Sequence, residues 1–133
     1  MSNSALSPEL KPYVSAVLGR KAMELVVLDV TTVTDVADVF MICSGRSNRQ
    51  VSAIAEFIES ELKKSGIRAL AVEGIKDGQW VLIDYGHVII HVFYEPVRRF
   101  YDLESLWADA RRIDISEFIK QEAAQGKEDL LNE

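Results

Sequence analysis

An imidazole near carboxylates is the smallest set of side chains able to move protons at neutral pH. Here His91 has Asp84 and Glu73 close by along the chain. No nucleophile elbow or second orienting group accompanies it. His91 also lies inside the apolar run VIIHVF (88–93), where a hydrogen-bonded structural imidazole is the expected role. Asp35 and Asp38, joined by Asp84, are the carboxylates a divalent cation would need. A three-residue spacing in a loop does not by itself fix them around a metal. Ser44-Gly45-Arg46-Ser47 is a small-residue turn between a strand and a helix, where free N–H groups and the helix dipole can hold a phosphate. It carries neither GxxxxGKS/T nor GxGxxG, and Ser47 reads as an N-cap. Cys43, the one cysteine, sits in VFMICS and reads as a buried strand residue, which also excludes an internal disulfide. His87 and His91 are four apart on a hairpin rather than on one helix, and CxxC and HExxH spacings are absent. No metal, cofactor or catalytic constellation is expected.

The hairpin at 80–94, WVLIDYGHVIIHVFY, offers a surface instead. A Gly-X pair between β-rich runs predicts a II′ turn at Gly86-His87, pairing Tyr85 with Val88, Ile83 with Ile90, and Val81 with Val92. That face is aliphatic and suits a covering helix. The other face carries Trp80, Leu82, Asp84, Ile89, His91 and Phe93. Trp80 and Tyr85 can serve as partner anchors or as ordinary core. Alternation places them on opposite faces, so both reach one partner only if Tyr85 turns outward at the tip. Arg98 and Arg99 stand beside Asp102 and Glu104, which makes ion pairing on a solvated face the expected role.

The elements that position this hairpin follow from periodicity. Ser7-Pro8 opens a helix over about 8–22, and strands are expected at 24–30 and 39–43. Val51, Ile54, Ala55, Ile58 and Leu62 define a helix over 48–64, capped by Ser47 and stopped by Gly66. A third strand over 68–73 precedes the hairpin, and Pro96 ends its last strand. A short helix lies within 98–110, with Leu103, Leu106 and Trp107 as packing residues. A further helix over 116–124 precedes a frayed end. The fold class is α/β, a mixed five-stranded sheet with flanking helices. At 133 residues, 48% of them apolar, the chain suits one domain. A net charge of −6 disfavours direct sequence-independent binding to DNA or RNA and favours basic partners. The N-terminus has no signal-peptide or transit-peptide pattern, and no run is long enough for a membrane helix, so the cell interior is expected.

Taken in order, Thr34-Asp35 with ADVFMICSG (37–45), SNRQVSAIAE (47–56), EG (73–74), WVLIDYGHVIIHVF (80–93) and RRFYDLESLWADA (98–110) resemble the Iojap family of ribosomal silencing factors. The resemblance runs from the first helix to Ala110 and implies a domain over 1–112 followed by a helical extension over 113–133. It also implies a nucleotidyltransferase-like fold without transferase activity. The implied partner is the large ribosomal subunit, bound through its fourteenth protein, a small basic β-barrel. Small-subunit joining would be blocked, repressing translation in slow growth or starvation. A cytoplasmic location and a possible homodimer are implied as well. Carried over by position, the contact residues are Trp80 and Tyr85, with Glu73 and Asp84 pairing with basic side chains. Many members have an aspartate after the hairpin glycine. His87 stands there instead, which removes a negative charge near the implied contact. Two other readings compete: an enzyme acting on a nucleotide or another phosphate-bearing substrate, and a homodimeric adaptor with the aliphatic hairpin face as its seam.

Overall fold

The computed structural model describes residues 4–131. A seven-stranded mixed sheet carries the fold: β1 (Ser4–Ala5), β2 (Met23–Asp29), β3 (Val39–Gly45), β4 (Ala71–Glu73), β5 (Trp80–Asp84), β6 (Val88–Tyr94) and β7 (Arg111–Asp114). Their spatial order is β1-β7-β2-β3-β6-β5-β4. β3 and β6 run parallel at the centre, from Val39 opposite Val88 to Gly45 opposite Tyr94. Both are apolar along almost their whole length because helices cover both faces, and every residue of β3 is buried.

One face packs against α1 (Lys11–Leu18) and α2 (Asn48–Lys64), with Val27, Met41, Ile83, Ile90 and Val92 among the buried residues. The other face packs Leu28, Phe40, Ile42, Ile89 and Phe93 under α3 (Glu95–Tyr101) and α4 (Leu103–Leu106), through Val97, Leu103 and Trp107. α2 follows its apolar stripe: Val51, Ile54, Ala55, Ile58 and Leu62 are all buried. Ser47 caps it by accepting from the Gln50 N–H at 3.0 Å.

The hairpin register is the expected one, with Val81 opposite Val92, Ile83 opposite Ile90 and the Tyr85 N–H donating to the Val88 carbonyl. Gly86 at φ +89° makes this turn possible, a conformation open to glycine at little cost. The aliphatic hairpin face is fully covered by α1 and α2, so it is not available as a dimer seam.

Several expectations change. The helix over 8–22 is a 3-10 turn (Pro8–Leu10) leading into a shorter α1, and the chain leaves it through Lys21 at φ +61°. The third strand keeps only Ala71–Glu73. The helix expected after 98 begins at Glu95, with Pro96 in its first turn, and stops at left-handed Asp102. The five strands become seven, because β7 pairs antiparallel with β2 and β1 adds to β7. The expected domain boundary at 112/113 thus falls inside β7, where Ile113 is buried in the core. α5 (Ser116–Leu131) continues past Ala124.

Candidate docking surface

The outer strands β4 and β5 are only partly covered by α3 and α4, and Trp80, Leu82 and Asp84 are half-buried there. Their register sets Ala71 opposite Asp84 and Glu73 opposite Leu82. Alternation therefore brings Glu73, Trp80, Leu82 and Asp84 to one face. Of the four expected contact residues, three meet there. Tyr85 does not. It stays within the ladder, obeys the alternation and is 7% exposed on the opposite face, edge-on to Tyr13 at 5.4 Å between ring centroids. Burial pushes its phenol well above the usual range. Tyr85 offers a partner no ring surface, and its expected anchoring role gives way to packing.

Two residues of α3 replace it. Trp80 is half-buried. It stacks on Phe93 at 4.8 Å between ring centroids, and Tyr101 leans on it at 5.2 Å. Phe100 meets Tyr101 edge-on at 5.2 Å. Phe100 is 81% exposed and Tyr101 56%, so a row of three aromatic side chains runs from the sheet to open solvent. Glu73 is exposed, and no ion pair engages it among the described residues. Asp84 is half-buried and spends one oxygen accepting from the Gly86 N–H at 2.7 Å. Leu106, expected to pack, is 73% exposed.

Two buried groups hold the row in place. The Trp80 Nε1–H donates to His91 Nδ1 at 3.1 Å, which assigns His91 the Nε2–H tautomer. Burial among Phe40, Phe93 and Trp80 pushes the imidazole down to about 4, so at neutral pH it is an uncharged acceptor. Arg98 is buried beneath α3. Its guanidinium donates to Glu104 Oε1 (2.8 Å), Ser44 Oγ (2.6 Å), the Glu24 carbonyl (2.9 Å) and the Met23 carbonyl (3.4 Å). Arg98 does pair with Glu104, though its guanidinium is buried and only the carboxylate reaches solvent. Arg99 pairs with Glu95 on the surface at 2.9 Å.

The remaining chemical candidates do not converge. Cys43 is fully buried, and its thiol is pushed up to about 12, far from a reactive thiolate. His91 is hydrogen-bonded to an indole, with Leu82 directly opposite it in the ladder. Among the described residues, no group of three metal-ligating side chains comes together. No helix among them is long and apolar enough to cross a membrane. His87 is exposed at the hairpin tip, edge-on to Tyr13, away from the aromatic row.

Sequence reasoning missed Phe100 and Tyr101. The available signal was helical phase: once α3 starts at Glu95, Val97 and Arg98 face inward, Phe100 turns to solvent, and Tyr101, one turn after Val97, falls on the sheet side against Trp80.

The chain is similar over most of its length to proteins of one kind. The family model described as "Ribosomal silencing factor during starvation", RsfS, matches residues 3–131. Ribosomal silencing factor RsfS of Halalkalibacterium halodurans is 40% identical over 115 residues, 86% of this chain and 96% of that protein. Its counterpart in Bacillus subtilis is 40% identical over 106 residues, 80% and 90%. The chloroplastic protein Iojap of Arabidopsis thaliana is 32% identical over 95 residues, 71% of this chain and 40% of that longer protein. A crystal structure from Bacillus halodurans matches with a TM-score of 0.71 at 37% identity, covering 80% of this chain and 96% of that one. With these matches, and with the mixed α/β sheet in place, the chain belongs to the ribosomal silencing factor family.

Proposed function

We propose that this protein binds the large ribosomal subunit in the cytoplasm, through the subunit's basic fourteenth protein, and blocks small-subunit docking by occupying its place. Translation falls in slow growth or starvation as a result. The action needs occupancy and no bond chemistry. The observation that carries the reading is the row Trp80–Tyr101–Phe100 beside Glu73 and Asp84. Aromatic area that loses its water on contact supplies affinity. Unpaired carboxylates beside it favour a basic partner and disfavour neutral or acidic ones. Family membership supports the ribosomal target.

A homodimer would draw on the same aromatic row, since the aliphatic hairpin face is already covered. Self-association and ribosome binding would then compete, which sedimentation across a concentration series can detect.

Trp80→Ala and Tyr101→Ala should each weaken binding to purified large subunits by ten- to a hundredfold, roughly 1.4–3 kcal/mol, with circular dichroism unchanged. Tyr85→Phe should bind like the parent, because the phenol is inside. Full affinity in both alanine variants would overturn the docking surface.

A further inference from the structure

The turn Ser44–Ser47 has no part in the docking surface, yet the fold gathers charge around it. Met23 lies opposite Ser44 in the sheet, which brings the α1–β2 connection, with Arg20 and Lys21, beside Arg46. The Arg46 Nε–H reaches Met23 Sδ at 3.4 Å, confirming the approach. Arg49 stands in the first turn of α2, which has no acidic residue to offset it. Arg20, Lys21, Arg46 and Arg49 are all exposed. Among the described residues, none of them is in a salt bridge. Arg20 alone is occupied by an aromatic ring, that of Phe57 at 5.8 Å.

Four carboxylates share this corner, of which Glu95 and Glu104 are spent on Arg99 and Arg98; the other two are Glu24 and Asp77. Glu24 is next to Met23, and Asp77 has its carbonyl on the Asn48 amide with Lys76 beside it. The corner keeps an excess of positive charge on a chain whose net charge is −6. A cation at a helix N-terminus opposes the helix dipole, so Arg49 costs stability where it stands unless an anion shares the site.

Placement relates this corner to the aromatic row. Trp80, Phe93, Ser44 and Met23 form one register row across β5, β6, β3 and β2. Three strand spacings separate Trp80 from Met23, roughly 14 Å. The basic corner and the aromatic row therefore sit at the same end of the sheet, within the footprint of one partner.

We propose that Lys21, Arg46 and Arg49 form a second contact that takes phosphates of structured RNA. This rests on the ribosomal reading above. An acidic chain approaching an RNA-rich particle is repelled unless its charges are segregated, with carboxylates facing the basic protein and cations facing the neighbouring backbone. The corner fixes orientation, while the aromatic row supplies most of the affinity.

The test is the triple variant Lys21→Asn, Arg46→Gln and Arg49→Gln. Asparagine tolerates the left-handed backbone at residue 21. Binding to intact large subunits should fall at least tenfold near 0.1 M salt. The slope of log affinity against log salt should shrink by about 2.7, as three lost phosphate contacts on a duplex require. Binding to the isolated fourteenth protein should stay as in the parent. Unchanged affinity and slope on intact subunits overturn the RNA contact, and so does an equal loss on the isolated protein, which would assign the corner to protein. A parent chain that ignores large subunits altogether refutes the ribosomal reading instead. In that case a 20-base-pair RNA hairpin at low salt decides: the parent must bind it and the variant must not.

Discussion

Replacing His91 with phenylalanine should flatten the acid side of the stability curve by an amount the structure sets. The imidazole is buried with a folded-state value near 4, against 6.5 for the free group. Above pH 6.5 both folded and unfolded chains hold it neutral, and it adds no pH dependence. As pH falls from 6.5 toward 4, the unfolded chain takes up a proton that the folded chain refuses, so stability is lost across that window. At pH 5 the loss reaches about 2 kcal/mol, and below pH 4 it levels off near 3 kcal/mol. His91→Phe packs among Phe40, Phe93 and Trp80 and does not titrate, though it removes the acceptor for the indole N–H. That removal costs about 1 kcal/mol at every pH and so cancels from the comparison. Urea unfolding at pH 7.5, 6 and 5 measures the effect. The parent midpoint should drop by roughly 1 M more than the variant's between pH 7.5 and 5. His87 and the carboxylates are common to both proteins and cancel as well. Parallel decline of parent and variant would refute a neutral buried imidazole.

Other perturbations probe the supports of the aromatic row. Arg98→Met strands the Ser44 hydroxyl and the Met23 and Glu24 carbonyls, and should cost about 3 kcal/mol in urea unfolding. Glu104→Gln keeps an acceptor for Arg98 at a half-open site and should cost about 1 kcal/mol. Gly74→Ala places a Cβ against the Trp80 carbonyl at φ +89° and should cost at least about 2 kcal/mol, with a changed Trp80 fluorescence maximum. Cys43 should resist alkylation in the native protein and react on unfolding, readable by mass spectrometry.

How much of this was legible depends on whether a signal was local. α2 announced itself through Val51, Ile54, Ala55, Ile58 and Leu62 between a capping Ser47 and left-handed Gly66. The hairpin did so through Gly86 and strict alternation, which also predicted that Trp80 and Tyr85 would part. β7 gave little sign, because Ile113 is its one buried residue among Arg111, Arg112 and Asp114, and its partners are far away in sequence. Arg98 was read as a surface cation because arginine is usually outside. Its burial depends on carbonyls of Met23 and Glu24 more than seventy residues earlier. Alternation put Trp80 and Asp84 on one face, the register of β4 adds Glu73 to it, and Phe100 and Tyr101 needed the start of α3 to be known.

The most direct measurement titrates this protein into purified large subunits, adds small subunits, and follows bound protein and joined particles in the same gradients. Joining should fall in proportion to occupancy, reach near zero at one copy per large subunit, and recover with Trp80→Ala. Full joining on large subunits that carry the protein would contradict steric exclusion at its root.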